Sequence, residues 1–269
     1  MISFPNAKIN LGLNIIEKRA DGYHNIESVF YPVGWKDVLE ILPSDNLNFK
    51  SSGIKIPGKE EENLCLKAYH LIKKDFDIPP VNIYLHKILP IGAGLGGGSS
   101  DAAFTLIRIN ELFELKITNS DLQKYAKKIG SDCAFFIENK PKFCYKKGDS
   151  FKNSNVDLSG KYILLIFPEI HVSTAEAYRG IVPTKPENML KEIIKQPITD
   201  WKYLMKNDFE ETIFQLYPEL NEIKKLLYSV GAIYASMSGS GSTMYGIFEK
   251  KIILSESFKS KFLIWEGEL

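Results

Sequence analysis

Leu89-Pro90-Ile91-Gly92-Ala93-Gly94-Leu95-Gly96-Gly97-Gly98-Ser99-Ser100-Asp101 packs five glycines into seven residues and follows them with two serines. Upstream, Val81, Ile83 and Leu85 alternate with Asn82, Tyr84 and His86, the pattern of a strand. Downstream, residues 100–113 form an amphipathic, proline-free run that reads as a helix. A flexible linker is not bounded in this way. Strand, glycine loop and helix start let backbone N–H groups approach an anion closely, and the helix adds unpaired amides and the positive end of its dipole. The chemistry points to phosphate.

Three common phosphate loops fail on residues. Gly92-x-Gly94-x-x-Gly97 fits the dinucleotide fingerprint literally, but Lys116-Ile117-Thr118-Asn119-Ser120 and a second helix stand where an acidic strand end is needed. A Walker A loop ends in Gly-Lys-Ser/Thr, and Gly98 is followed by Ser99. The glycine loop of protein kinases joins two strands, whereas this one opens a helix.

Working outward, residues 7–15 alternate: Ala7, Ile9, Leu11, Leu13 and Ile15 on one face, Lys8, Asn10, Gly12 and Asn14 on the other. This predicts a half-buried strand, with further strands over 26–33 and 36–42 after an Asp21-Gly22 turn. Asn63 is placed to cap a helix burying Leu64, Ala68 and Leu71. Ser120-x-x-Gln123 reads as a capping box for a helix burying Leu122, Ala126 and Ile129 up to Gly130. Lys161–Phe167 reads as a buried strand, Pro218 opens a helix through Leu220, Ile223 and Leu227, and strands 234–237 and 243–248 flank Ser238-Gly239-Ser240-Gly241-Ser242. The Gly148, Asn153, Asn155, Gly160 cluster marks a boundary between residues 1–155 and 156–269. With strands expected to dominate the first part and helices the second, the class is α+β.

Composition excludes much. The 269 residues are 44% hydrophobic, with 34 basic and 33 acidic side chains, a net charge of +1. No basic tract suggests nucleic acid or a membrane surface as partner. Cys65, Cys133 and Cys144 form no Cys-x-x-Cys pair and suit reduced thiols, and the four scattered histidines disfavour zinc. The start resembles no signal peptide, and the longest apolar run, 162–167, is too short to span a bilayer. A bacterial cytoplasm is expected.

Pro5-x-Ala7-Lys8-Ile9-Asn10-Leu11, Pro90-x-Gly92-x-Gly94-Leu95-Gly96-Gly97-Gly98-Ser99-Ser100 and Ser238-Gly239-Ser240-Gly241-Ser242 resemble, in order and spacing, the three motifs of the GHMP small-molecule kinases. Arg19-Ala20-Asp21-Gly22-Tyr23-His24 and Gly130-Ser131-Asp132 narrow the likeness to the branch acting on a cytidyl-diphosphate alcohol of the non-mevalonate isoprenoid pathway. The resemblance runs from Phe4 to about Phe248. It implies an α+β fold of two domains, the first (1–155) a nucleotide-binding domain like ribosomal protein S5 and the second (156–269) also α+β, with the active site in the cleft. It implies ATP and Mg2+, and phosphoryl transfer to the 2-hydroxyl of the methylerythritol part of the substrate.

The resemblance also implies roles. The segment Pro90, Ile91, Gly92, Ala93, Gly94, Leu95, Gly96, Gly97, Gly98, Ser99, Ser100 holds the phosphates, and Lys8 and Asp132 are the catalytic pair. Asp132 accepts the hydroxyl proton as general base, and Lys8 stabilises the developing charge. A neighbouring cation weakens a carboxylate as a base, which a loose transition state relieves because proton removal is late. Asn10, Tyr23, His24, Thr174 and Tyr178 fall at substrate positions: Tyr23 stacks on cytosine, His24 reads its edge, Tyr178 stands where the family has an opposing Phe, and Thr174 bonds the sugar-alcohol end. Prolines of the family are replaced by Ser173 and Ala175. Ser99 and Ser100 suit a magnesium oxygen or a helix cap equally, Asp101 suits the helix dipole, and Ser238–Ser242 suits a flexible turn as well as a motif. No metal ligand and no oligomeric state follow. Homoserine, mevalonate or sugar kinases and a non-catalytic nucleotide sensor are the competing readings, and Lys8 with Asp132 weighs against the sensor.

Overall fold

Alternating stretches become strands and amphipathic stretches become helices in the computed structural model, which describes residues 1–269, Ser257 by its backbone alone. In chain order these are β1 (Ile2–Ser3), β2 (Asn6–Lys18), β3 (His24–Lys36), β4 (Val38–Pro43), β5 (Asn48–Gly53), α1 (Leu64–Lys73), β6 (Val81–Lys87), α2 (Gly97–Leu112), α3 (Asn119–Ile129) and α4 (Cys133–Glu138). There follow β7 (Lys142–Tyr145), β8 (Ser150–Asn153), β9 (Tyr162–Phe167), α5 (Thr174–Arg179), α6 (Leu190–Ile193), α7 (Ile198–Leu204), α8 (Phe209–Leu216) and α9 (Pro218–Ser229). β10 (Tyr234–Met237), β11 (Met244–Phe248), α10 (Glu256–Lys259) and β12 (Leu263–Glu268) complete the chain.

The chain forms two compact units that interleave in sequence. Unit 1 comprises residues 1–8, 35–91 and 96–140; unit 2 comprises 9–34, 92–95 and 141–269. Within unit 1, β1-β4-β6-β5 form one sheet, with β4 antiparallel and β5 parallel to β6. Leu39, Ile41, Phe49, Val81, Ile83 and Leu85 are its buried apolar residues, and α2 packs against β4 and against the other three helices. Within unit 2, β10-β11-β9-β12 form an antiparallel sheet whose core is shared with Ile213, Leu220, Ile223 and Leu227 of α8 and α9. The third sheet has the order β2-β3-β7-β8.

Among the described residues strands outnumber helices before residue 155 and helices outnumber strands after it, as expected for this α+β chain, although each compact unit mixes both. Other expectations shift locally. α1 is capped by Asn63, whose side chain accepts from the Cys65 N–H at 2.8 Å, but its buried stripe is Cys65, Leu66, Ala68, Tyr69 and Ile72. Residues 65, 68, 69 and 72 complete one face at helical spacing, leaving Leu64 and Leu71 half-buried at its margin. α3 is capped by Thr118, which accepts from the Asp121 N–H and donates to its carboxylate, two residues ahead of the expected Ser120 box. Gln123 instead donates to Glu138 at 2.7 Å. β2 is not half-buried: its polar residues Lys8, Asn10 and Asn14 are as buried as the apolar ones.

Candidate active site

The glycine stretch runs from the end of β6 into α2 as the alternation implies. Gly92, Gly94 and Gly96 adopt φ of 67°, 77° and 70°, a left-handed conformation that costs glycine little and other residues much. Gly94 is the tightest: a Cβ there would lie 2.0 Å from the Ser238 carbonyl oxygen. The N-cap of α2 is Gly96, which brings no side-chain acceptor, so no cap side chain claims the amides of the first turn. Those amides and the helix dipole are of the kind that suit an anion. Ser99 and Ser100 lie inside the helix, so neither caps it.

Also in unit 1, the Lys8 ammonium stands 3.5 Å from Asp132 Oδ2. Lys8 is 4% exposed, so it is no solvated strand lysine; Asp132, at 27%, remains open to solvent. Asp132 occupies the N-cap position of α4 but makes no capping bond; the Ser131 hydroxyl donates to it at 3.3 Å. A Cβ on Gly96 would press on the Lys8 stem at 3.2 Å, so the ammonium's carbon chain runs past the start of α2. A cation, an accessible carboxylate and uncapped helical amides therefore share one unit. Such a set suits transfer of an anionic group to a hydroxyl.

Sequence reasoning missed a second charged set. Lys87 donates to Asp37 and to Asp101, all three buried, so Asp101 answers an ammonium and not only the helix dipole. Burial pushes the Asp101 carboxyl up to about 7, against the pull of Lys87. Burial draws Lys87 down, but the two carboxylates outweigh it and hold the ammonium above its ordinary value. The signal was in β6: Lys87 continues the inward register of Val81, Ile83 and Leu85. A lysine in a core register needs a buried partner. Nearby, burial pushes the Cys133 thiol up to about 11, opposed by a hydrogen bond with Ser99. All three cysteines are free and buried.

Unit 2 holds the remaining expected residues. The Asn10 side chain donates to Ser28 at 2.8 Å, and its carbonyl accepts from the Tyr245 hydroxyl at 2.7 Å. Tyr23 is 61% exposed, with the Lys147 ammonium 4.8 Å above its ring. Tyr178 does not stand free across from Tyr23; it stacks on His24 at 4.8 Å and 19° and meets Phe209 edge-on. Burial, then the Lys18 charge, lowers the His24 pKa. Thr174 begins α5, which Ser173 caps by accepting from the Glu176 N–H at 3.1 Å. The Ser238–Ser242 stretch is no flexible turn. Ser238 donates to the Gly94 carbonyl at 2.9 Å, the Thr243 N–H donates to Ala93 at 3.3 Å, and Asn207 donates to the carbonyls of Met237 and Gly239, each at 2.8 Å. The third motif thus holds the middle of the glycine loop.

The family profile for the GHMP kinases N terminal domain matches residues 63–140, and that for GHMP kinases C terminal matches 189–256. A curated "4-diphosphocytidyl-2-C-methyl-D-erythritol kinase" from Cytophaga hutchinsonii is 54% identical over 252 residues, 93% of each chain. The chain belongs to the GHMP kinases. Another member of the same name, from Bacteroides fragilis, is 52% identical over 258 residues, 94% of each chain. A crystal structure of "4-(cytidine 5'-diphospho)-2C-methyl-D-erythritol kinase" superimposes with a TM-score of 0.84 at 28% identity, covering 99% of this chain and 98% of that one. As a GHMP kinase this chain is a phosphotransferase, and the family takes ATP as its phosphoryl donor. No helix among the described residues is long and apolar enough to cross a membrane.

Proposed function

We propose that this GHMP kinase transfers the γ-phosphoryl group of ATP to the 2-hydroxyl of 4-diphosphocytidyl-2-C-methyl-D-erythritol, giving the 2-phosphate and ADP. The reaction belongs to the non-mevalonate (methylerythritol phosphate) route to isoprenoid precursors, in a bacterial cytoplasm. The Lys8–Asp132 pair, buried on the lysine side and open on the carboxylate side, carries the reading. Asp132 takes the hydroxyl proton, the freed oxygen bonds to the γ-phosphorus, and the bond from that phosphorus to the bridging oxygen of ADP breaks. Lys8 offsets the charge on the attacking oxygen and the moving phosphoryl group.

Residues Pro90–Ser100 take the triphosphate: left-handed glycines bring the backbone close, and α2 points uncapped amides at it. Among the described residues no group of three or more His, Cys, Asp or Glu side chains could hold a metal ion. Mg2+ bound together with the nucleotide would shield the charge of its phosphates. Tyr23 offers an open aromatic face for cytosine, His24 its ring nitrogens for the base edge, Tyr178 braces His24, and Thr174 and Asn10 serve the rest of the substrate. The two family matches fall one in each of residues 1–155 and 156–269, which we keep as the N- and C-terminal domains. An ADP-release assay across the cytidyl alcohol, homoserine, mevalonate and a sugar tests the proposal. Turnover is expected with the first alone; preference for another alcohol, or none at all, overturns it.

A further inference from the structure

Within unit 1 three charged side chains lie beside the start of the glycine loop, all but sealed from solvent: Asp37, Lys87 and Asp101. Lys87 Nζ donates to Asp37 Oδ2 at 2.5 Å and to Asp101 Oδ2 at 2.7 Å. The other oxygen of Asp37 accepts the N–H groups of Ile88 and Leu89, at 2.5 and 2.8 Å, the two residues by which the chain leaves β6. Asp101 lies in the opening turns of α2, and its Oδ1 is buried without a hydrogen-bond partner. The ammonium also lies against the first residue of α2, since a Cβ on Gly97 would meet Lys87 Nζ at 3.0 Å. One cation therefore ties together the last strand residue, the first loop residues through Asp37, and the helix on the far side of the loop.

Stability alone is a weak reason for such a cluster. Desolvating the charges offsets much of their attraction, and apolar side chains of similar volume often serve a fold as well. One carboxylate oxygen is moreover left without a donor. What the cluster does supply is a set geometry, and the loop between its anchor points is rich in left-handed glycines that lack it. We propose that Asp37, Lys87 and Asp101 are positioning residues for the nucleotide, holding the loop's first residues and the uncapped turn of α2 in fixed relation so that their amides are aimed before the triphosphate arrives. A site ordered in advance binds more tightly because ordering is not charged against binding. The proposal rests on reading this loop as the nucleotide's phosphate site.

The double variant Lys87→Met/Asp101→Asn removes one cation and one anion together. The net formal charge of the cluster is unchanged and Asp37 keeps its two loop amides, while the ties of Lys87 to Asp37 and to α2 are both cut. Calorimetric titration with ADP and, separately, with the cytidyl alcohol reads the effect. ADP affinity is expected to fall about tenfold or more, the usual scale for a misplaced binding group, while alcohol affinity stays within about twofold. Should the double variant fail to fold by circular dichroism, Asp101→Asn alone decides, with a smaller loss confined to ADP. Unchanged ADP affinity in a folded variant, or equal losses for both ligands, overturns the proposal. Wild-type protein that binds no ADP would instead overturn the nucleotide reading itself.

Discussion

Lys8 of β2 and Asp132 at the start of α4 meet at 3.5 Å, with the lysine almost wholly buried and the carboxylate still reachable from solvent. The ammonium is thereby held in place while the carboxylate keeps access to a proton donor, the division of labour that transfer to an alcohol requires.

Asp132→Asn keeps the size of the side chain and removes its capacity to take a proton. The expected outcome is a kcat lowered by about 10²–10⁴, the usual worth of a general base, with little change in either KM. Steady-state kinetics with the cytidyl alcohol check this; turnover near the wild-type rate removes Asp132 from the mechanism. Lys8→Met added to it is expected to cost far less than in the wild-type background, because the two side chains act on one hydroxyl.

Gly94→Ala tests the loop. The new methyl would fall 2.0 Å from the Ser238 carbonyl at a φ of 77°, so both overlap and backbone strain oppose it. A loss of about 3 kcal/mol or more is expected, as lower melting and denaturant midpoints, together with lost ADP binding. Wild-type melting and affinity would mean that the approach of the two segments is looser than the geometry requires.

Tyr23→Ala removes an exposed aromatic face. KM for the cytidyl alcohol is expected to rise by the worth of one stacked base, about 1–3 kcal/mol, while KM for ATP stays nearly constant. Equal damage to both substrates would deny a separate base pocket.

His24 supplies a pH test. Its folded-state pKa lies below the ordinary 6.5, chiefly through burial. The unfolded chain therefore binds the proton more readily, so the stability this group contributes is present above 6.5 and is lost as pH falls through the lower, folded value. Protonation also places a cation against the Tyr178 ring and changes the nitrogens offered to the base. KM for the cytidyl alcohol is expected to rise as pH falls from about 7 to about 5, and His24→Gln to flatten that rise. A wild-type profile already flat over this range removes His24 from base recognition.

Much of the site was legible because its signals are local. Glycines crowded between a strand and a helix announce an anion loop, since only that backbone lets amides converge. The alternation of β2 placed Lys8 and Asn10 on one face, and Gly130-Ser131-Asp132 set a carboxylate just past a helix-ending glycine, though the helix α4 that follows it gave no signal. The lysine of the second charged set was also visible, as a polar residue in the inward register of β6, but its partners were not. Asp37 lies between two strands and Asp101 in a helix, and no spacing rule links such positions.

The sequence by itself determined the kind and order of β2, β3, β4, β6, β9, β10 and β11 and of α1, α2, α3 and α9, and pointed to the family, because hydrophobic period, glycine and proline act over a few residues; the short elements between them, such as β7, β8 and α4–α8, carried no such signal. Tertiary structure alone decided that two compact units interleave, that β2 is covered on both faces, that Ser238 clasps Gly94, that Tyr178 rests on His24 and that Lys87 joins two distant aspartates. Those relations arise when separately formed elements bury their remaining surfaces against each other. Partner choice there depends on shape and on pairing buried charge, which no short window of sequence records.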